Sequence, residues 1–207
     1  MWRCIFLNQL SNFNPEKISL VGYEPVLEPE TNNNIHIIKN WDDVLNNVAL
    51  HGNFDYITCF EVLEHFSAKK QMEVIENICK VLTNEGFLII SVPIEKGISS
   101  LVKNVIRKKN AGKLKYVYTI RNIIKSIFSK PIPELRGGDE YIFHHMGFYF
   151  NDLECILSQF FTIVKKEYSP FGKIGYNFNS QVFYQLIKQS ETVLHPAENR
   201  SIYLNEK

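Results

Sequence analysis

The chain reads as an α/β protein with a mostly parallel sheet, helices on both faces and an antiparallel strand pair at its C-terminal end. Three observations predict this. Short apolar runs alternate with helix-period segments from residue 18 to residue 92, the βαβ rhythm of a parallel sheet. The run Phe54-Asp55-Tyr56-Ile57-Thr58-Cys59-Phe60 turns abruptly into the acidic step Glu61-Val62-Leu63-Glu64-His65, as a buried strand does where its carboxyl end opens onto a ligand crevice. Residues 161–168 and 181–188 alternate well enough to pair as antiparallel neighbours.

The elements follow in order. Ile5, Phe6, Leu7 and Leu10 have helical spacing over 5–13, and Asn14-Pro15 stops that helix. Residues 18–22 and 35–38 read as short buried strands, and 42–50 as a short helix closed by His51-Gly52-Asn53. Ser67 is a natural N-cap for a helix over 68–82, with Met72, Ile75, Cys79 and Leu82 on one face and Asn84-Glu85-Gly86 as its end. Phe87 to Val92 is an apolar strand that Pro93 terminates. Leu101, Val102, Val105 and Ile106 make the next segment amphipathic, as is 116–128; Pro131 and Pro133 break it. A helix from Asn151 or Asp152 to about Gln159 precedes the last two strands, and the tail from Ser190 is polar. The predicted organisation is one domain over 1–190, with a basic helical insertion at about 97–140.

Composition narrows the class. The 45% hydrophobic and 22% charged fractions belong to a globular protein, and no apolar run reaches spanning length. Four cysteines without CxxC spacing argue against a zinc site or a disulfide framework, so a cytoplasmic location is expected. Charge is unevenly spread. Residues 96–136 hold eleven Lys or Arg against the single acid Glu134, a local +10 in a chain of net +1, which leaves −9 on the remainder. An anionic partner is expected for that segment, either a phosphorylated or carboxylated acceptor met by Lys103, Arg107, Lys108, Lys109, Lys113 and Lys115, or an anionic membrane surface.

The Asp55-to-His65 wording, with its Leu63-Glu64-His65 step, resembles the fourth motif of class I S-adenosylmethionine-dependent methyltransferases, which have a Rossmann-like fold. The resemblance runs from that family's second strand to its last. It implies S-adenosyl-L-methionine as cofactor, with Glu24 at the end of the second strand accepting from both ribose hydroxyls. It further implies adenine contacts from Asn40 and Trp41, a backbone contact from Cys59 to the methionine moiety, and an acceptor pocket bordered by His145 or Tyr149. For an oxygen acceptor, His65 is the first candidate base and His145 the second. Glu61-x-x-Glu64-His65 places two carboxylates and an imidazole on one helix face. That spelling is similar to metal-dependent small-RNA 2′-O-methyltransferases and ubiquinone-pathway O-methyltransferases, but metal-free relatives share the Leu-Glu-His step, so no metal is assigned. A fourth ligand would have to be His144 or His145.

One family feature is missing. The first strand and its Gly-x-Gly loop, where any Cβ would obstruct the cofactor, have no counterpart before Gly22. The expectation is an N-terminally truncated domain that starts just after that loop, leaving the second and fourth family strands without their central neighbour. The Val92-to-Gly97 turn resembles members that modify glycans or small metabolites, so the expected acceptor is of that kind and nucleic acid is disfavoured. A non-catalytic methyltransferase-like protein and a metal-dependent RNA 2′-O-methyltransferase are the alternatives.

Overall fold

The computed structural model of the chain describes residues 5–13, 19–23, 35–47, 50–136 and 141–189. Among these, α1 (Ile5–Phe13) precedes β1 (Leu20–Tyr23) and β2 (Ile35–Ile38), followed by α2 (Trp41–Asn46) and β3 (Phe54–Phe60). Next come α3 (Ala68–Val81), β4 (Leu82–Pro93), α4 (Gly97–Asn110) and α5 (Ile120–Ile127). The last elements are α6 (Phe150–Leu157), β5 (Phe161–Ser169) and β6 (Gln181–Lys188).

The strands form two sheets. β1 and β2 pair in parallel; the other four run in the order β3-β4-β6-β5, with β3 parallel to β4 and β6 antiparallel to both its neighbours. No strand among the described residues pairs with the second edge of β3 or of β1. Position in the sheet sets burial. β4 is flanked on both sides, and Leu88, Ile90 and Val92 have no exposed surface. β3, paired on one side only, leaves Tyr56 exposed.

Helices α3 and α6 cover one face of the four-stranded sheet, where Ile75, Leu153 and Leu157 join Leu88, Ile90, Tyr184 and Leu186 in the main core. The two-residue strand period aims Tyr56, Phe87 and Phe183 at the opposite face, where Tyr56 stacks on Phe87. Gly22 lets α1 lie on β1: a Cβ there would come within 2.9 Å of Leu7 Cδ1 and Ile37 Cδ1. A second small core of Val117, Tyr118, Ile123, Ile132 and Met146 organises the basic segment.

Several boundaries differ from the sequence reading. Ser67 does cap α3, its hydroxyl accepting from Lys70 N. The helix nevertheless ends at Val81, and residues 82–86 join β4 instead of forming a turn, because Leu82 pairs with Phe54 before a register shift brings Phe87 opposite Tyr56. Asn40 caps α2, which stops at Asn46. Only 120–127 of the amphipathic segment 116–128 is α-helical, since Thr119 caps its start. Helix α6 begins at Phe150. The expected tail from Ser190 lies outside the described residues.

Removing side-chain volume from the buried centre of β4 should test this core. Ile90→Ala is expected to cost about 2–5 kcal/mol, and Ser67→Ala about 1 kcal/mol through the lost cap, both read by urea denaturation.

Candidate functional site

The carboxyl ends of β3 and β4 carry most of the buried polar chemistry. Ladder pairing continues to Glu61, whose N–H donates to Ser91 O. The chain then turns sharply, with Glu61 at a φ of 53°, a left-handed conformation that costs a non-glycine residue energy and tends to collect at functional sites. A single 3-10 turn, Leu63–His65, follows. Buried Gln71 of α3 holds it by donating to the carbonyls of Leu63 and Phe66.

Glu64 is completely buried, and neither carboxylate oxygen has a hydrogen-bond partner. Burial, with the neighbouring Glu61 and Glu95 charges, pushes its carboxyl up to about 8, although Arg136 and its own backbone oppose this. His65 is held twice by one residue: its backbone carbonyl accepts from Ile142 N, and its ring Nδ1 lies 2.7 Å from Ile142 O. Because a carbonyl only accepts, Nδ1 carries a hydrogen. Burial lowers the His65 pKa, with the nearby His145 and Arg136 charges acting the same way. The neutral ring therefore keeps its lone pair on Nε2, which sits 3.6 Å from Glu64 Oε1.

Glu95, just past the end of β4, is the second centre and is also buried. Lys103 Nζ and Arg107 Nη1 from α4 lie 3.0 and 2.8 Å from its two oxygens. His145 Nδ1 approaches Glu95 to 3.7 Å, and Arg107 Nη2 to 3.4 Å. Burial alone would raise the Glu95 carboxyl, but His145, Lys103 and Arg107 outweigh it and hold it down to about 2. The His145 ring meets His65 edge-on at 5.0 Å, which joins the two centres. Ligand atoms of Glu64, His65 and His145 all lie within 4.8 Å of one another, so these three could hold a metal ion. Their two imidazoles and one carboxylate suit a transition metal or zinc.

The sequence-predicted residues fare differently. His65 and His145 come together. Glu24 lies outside the described residues, although Tyr23, immediately before it, packs edge-on against Trp41 at 5.1 Å. That contact sets the end of β1 beside the start of α2. Trp41 otherwise packs against the small buried cluster of Ile38, Val44 and Val81, and its indole N–H has no partner. Asn40 commits its side-chain carbonyl to Asp42 N as a helix cap. Cys59 turns its thiol into the main core, where burial pushes it up to about 12, so only its backbone is left for a ligand.

The structure adds detail to three expectations. Tyr149 is buried, its hydroxyl donates to Lys130 O, and it borders a cavity. Lys103 and Arg107 are engaged by Glu95 and not free for an acceptor. Glu61 does not join the groups able to hold a metal; His145 does. Sequence reasoning missed Glu95, although an acid placed directly after an apolar strand and before a +10 segment was a usable signal. A cavity of about 350 Å³ is lined by Lys96, Pro131, Arg136 and Tyr149 among others, and none of Trp41, Cys59, His65 or His145 borders it.

Known proteins agree with this architecture. No curated protein matches the chain. Among solved structures, PH0226 protein from Pyrococcus horikoshii is 13% identical with a TM-score of 0.52, over 90% of this chain and 79% of that one. LepI in complex with SAH and a substrate analogue is 10% identical, with a TM-score of 0.50 over 90% of this chain and 40% of its own. The 1,6-didemethyltoxoflavin-N1-methyltransferase of Burkholderia thailandensis, bound to 1,6-didemethyltoxoflavin and S-adenosylhomocysteine, is 15% identical with a TM-score of 0.50, over 87% of this chain and 66% of that one. The chain thus spans less than two thirds of the length of the last two, and at these identities the likeness is one of fold. The methyltransferase-domain family model matches residues 5–123, more than half of the sequence. By that match the chain belongs to the class I S-adenosylmethionine-dependent methyltransferase family.

Proposed function

We propose that this chain transfers the methyl group of S-adenosylmethionine to a hydroxyl of a small-molecule or glycan-type acceptor. The carrying observation is the meeting of Glu64, His65 and His145 at the carboxyl ends of β3 and β4, where open α/β sheets bind their ligands. The cofactor supplies an electrophilic methyl on a sulfonium. The acceptor oxygen forms the new bond as the carbon–sulfur bond breaks, leaving S-adenosylhomocysteine. In this reading His65 Nε2 takes the hydroxyl proton, its ring fixed by Ile142. His145 borders the acceptor and is positioned by Glu95. Glu24, Asn40, Trp41 and the Cys59 backbone would hold the cofactor. A cytoplasmic setting belongs to the same reading, supported by the free thiols of Cys59, Cys79 and Cys155.

A divalent cation at Glu64, His65 and His145 is the second reading, favoured by the 4.8 Å grouping and by the unpaired, buried Glu64 oxygens. It would orient the acceptor hydroxyl and lower its pKa, and it admits an RNA 2′-hydroxyl as acceptor.

Calorimetric titration with S-adenosylhomocysteine should give a saturable heat, with Trp41→Ala weakening affinity about tenfold through lost aromatic contact and His65→Ala leaving it within about twofold. Absence of heat from the unmodified chain would leave only the non-catalytic alternative.

Glu64 gives a separate pH test. Its folded pKa of about 8 lies above the ordinary 4.5, so the native state binds more protons than the unfolded one between these values, and stability falls as pH rises through that window. In metal-free buffer Glu64→Gln should abolish that fall and be more stable at pH 9 by at least about 1 kcal/mol. If instead Mn²⁺ or Zn²⁺ raises the melting temperature of the unmodified chain by several degrees and not that of Glu64→Gln, the metal reading holds.

A further inference from the structure

Helix α4 is built the opposite way round from an ordinary surface helix. Ser100, Lys103, Asn104 and Arg107 stand three and four residues apart and so share one stripe. This polar stripe is the one that faces inward. Ser100 and Asn104 are buried and bonded to each other, Ser100 meets Ser126 of α5, and Lys103 and Arg107 reach Glu95. Ile98, Leu101, Val102, Val105 and Ile106 form the complementary i, i+3, i+4, i+7, i+8 stripe, and all five are exposed. Helix α5 is mixed on its inner side, with Asn122, Ile123 and Ser126 buried, but it too exposes an apolar row: Ile120 and Ile124, with Phe128 just past its end, are 66%, 51% and 70% exposed. The turn Tyr176–Phe178 packs against α4, and Phe171, Ile174 and Phe178 beside it are exposed as well.

Exposed apolar rows on packed neighbouring elements mark a docking face, and charge selects what covers it. Lys108 and Lys109 end the α4 stripe, and Lys113, Lys115, Arg121 and Lys130 follow, all exposed. The segment is +10 and the remainder −9. An anionic surface would therefore attract the exposed cations of this segment. Two copies meeting through this face would set its exposed lysines against one another. A nucleic acid would satisfy the lysines and leave the aliphatic rows wet. A bilayer with anionic headgroups satisfies both sets at once: apolar side chains enter the acyl boundary, and cations stay at headgroup depth. No helix among the described residues is long and apolar enough to cross a membrane, so the contact is a peripheral one.

We propose that the outward faces of α4 and α5 dock this protein on an anionic lipid bilayer. Binding requires neither cofactor nor turnover, so it stands or falls apart from the methyl-transfer reading. The full chain is sedimented with phosphatidylglycerol–phosphatidylcholine vesicles and with vesicles of phosphatidylcholine alone. Partitioning onto the anionic vesicles should exceed that onto the neutral ones by at least about tenfold and fall as salt is raised. Val102→Asp with Ile106→Asp should lower it at least about tenfold with the circular dichroism spectrum unchanged, since both sites are exposed. Lys108→Glu with Lys109→Glu should lower it comparably, and decides the question if the first pair fails to fold. Equal binding to both vesicle types, or binding to neither, overturns the proposal. So does a dimer in sedimentation velocity that Val102→Asp dissociates, which would assign the face to a second copy.

Discussion

One buried carboxylate ties together everything of interest in this chain. Glu95 sits just past the central strand with no exposed side-chain surface, where an unpaired charge would cost several kcal/mol. Two cations from α4 and the approach of His145 neutralise it. Its backbone carbonyl also accepts from Ser126 of α5. Thus a single residue fixes both helices of the basic segment to the end of β4, and one side of the candidate site to those helices.

This explains the unusual face of α4. A helix that must deliver Lys103 and Arg107 inward has to turn its polar stripe toward the protein. The aliphatic stripe then has nowhere to go but solvent. The small second core beneath Val117, Ile123 and Met146 anchors the segment without the aliphatic row of α4. The outward apolarity is therefore a geometric consequence of satisfying Glu95, and the exposed lysines around it determine what that surface suits.

Glu64 lies in the same buried region under a different constraint. No cation is bonded to it, so burial keeps its proton on well above the usual carboxylate range. Glu64 and Glu95 are thus two buried acids with opposite fates, one neutral and one ionised, separated by the histidine pair. Such a split of charge states is how a site gains distinct proton-holding groups near neutral pH. The Ile142 clamp on His65 adds a fixed lone-pair direction between them.

Much of this was legible in the chain itself. The βαβ alternation, the antiparallel final pair, the Ser67 cap and the acidic step after β3 are local patterns set by side-chain period and capping chemistry, so they could be read without coordinates. What no local pattern contains is which stripe of a two-sided helix faces inward. Periodicity reports α4 as amphipathic, but its inside is chosen by Glu95, a partner several residues away whose charge must be met. The grouping of His145 with Glu64 and His65, residues some eighty positions apart, is likewise a property of folding alone, because only a packed backbone brings the ends of β3 and β4 against the loop before α6.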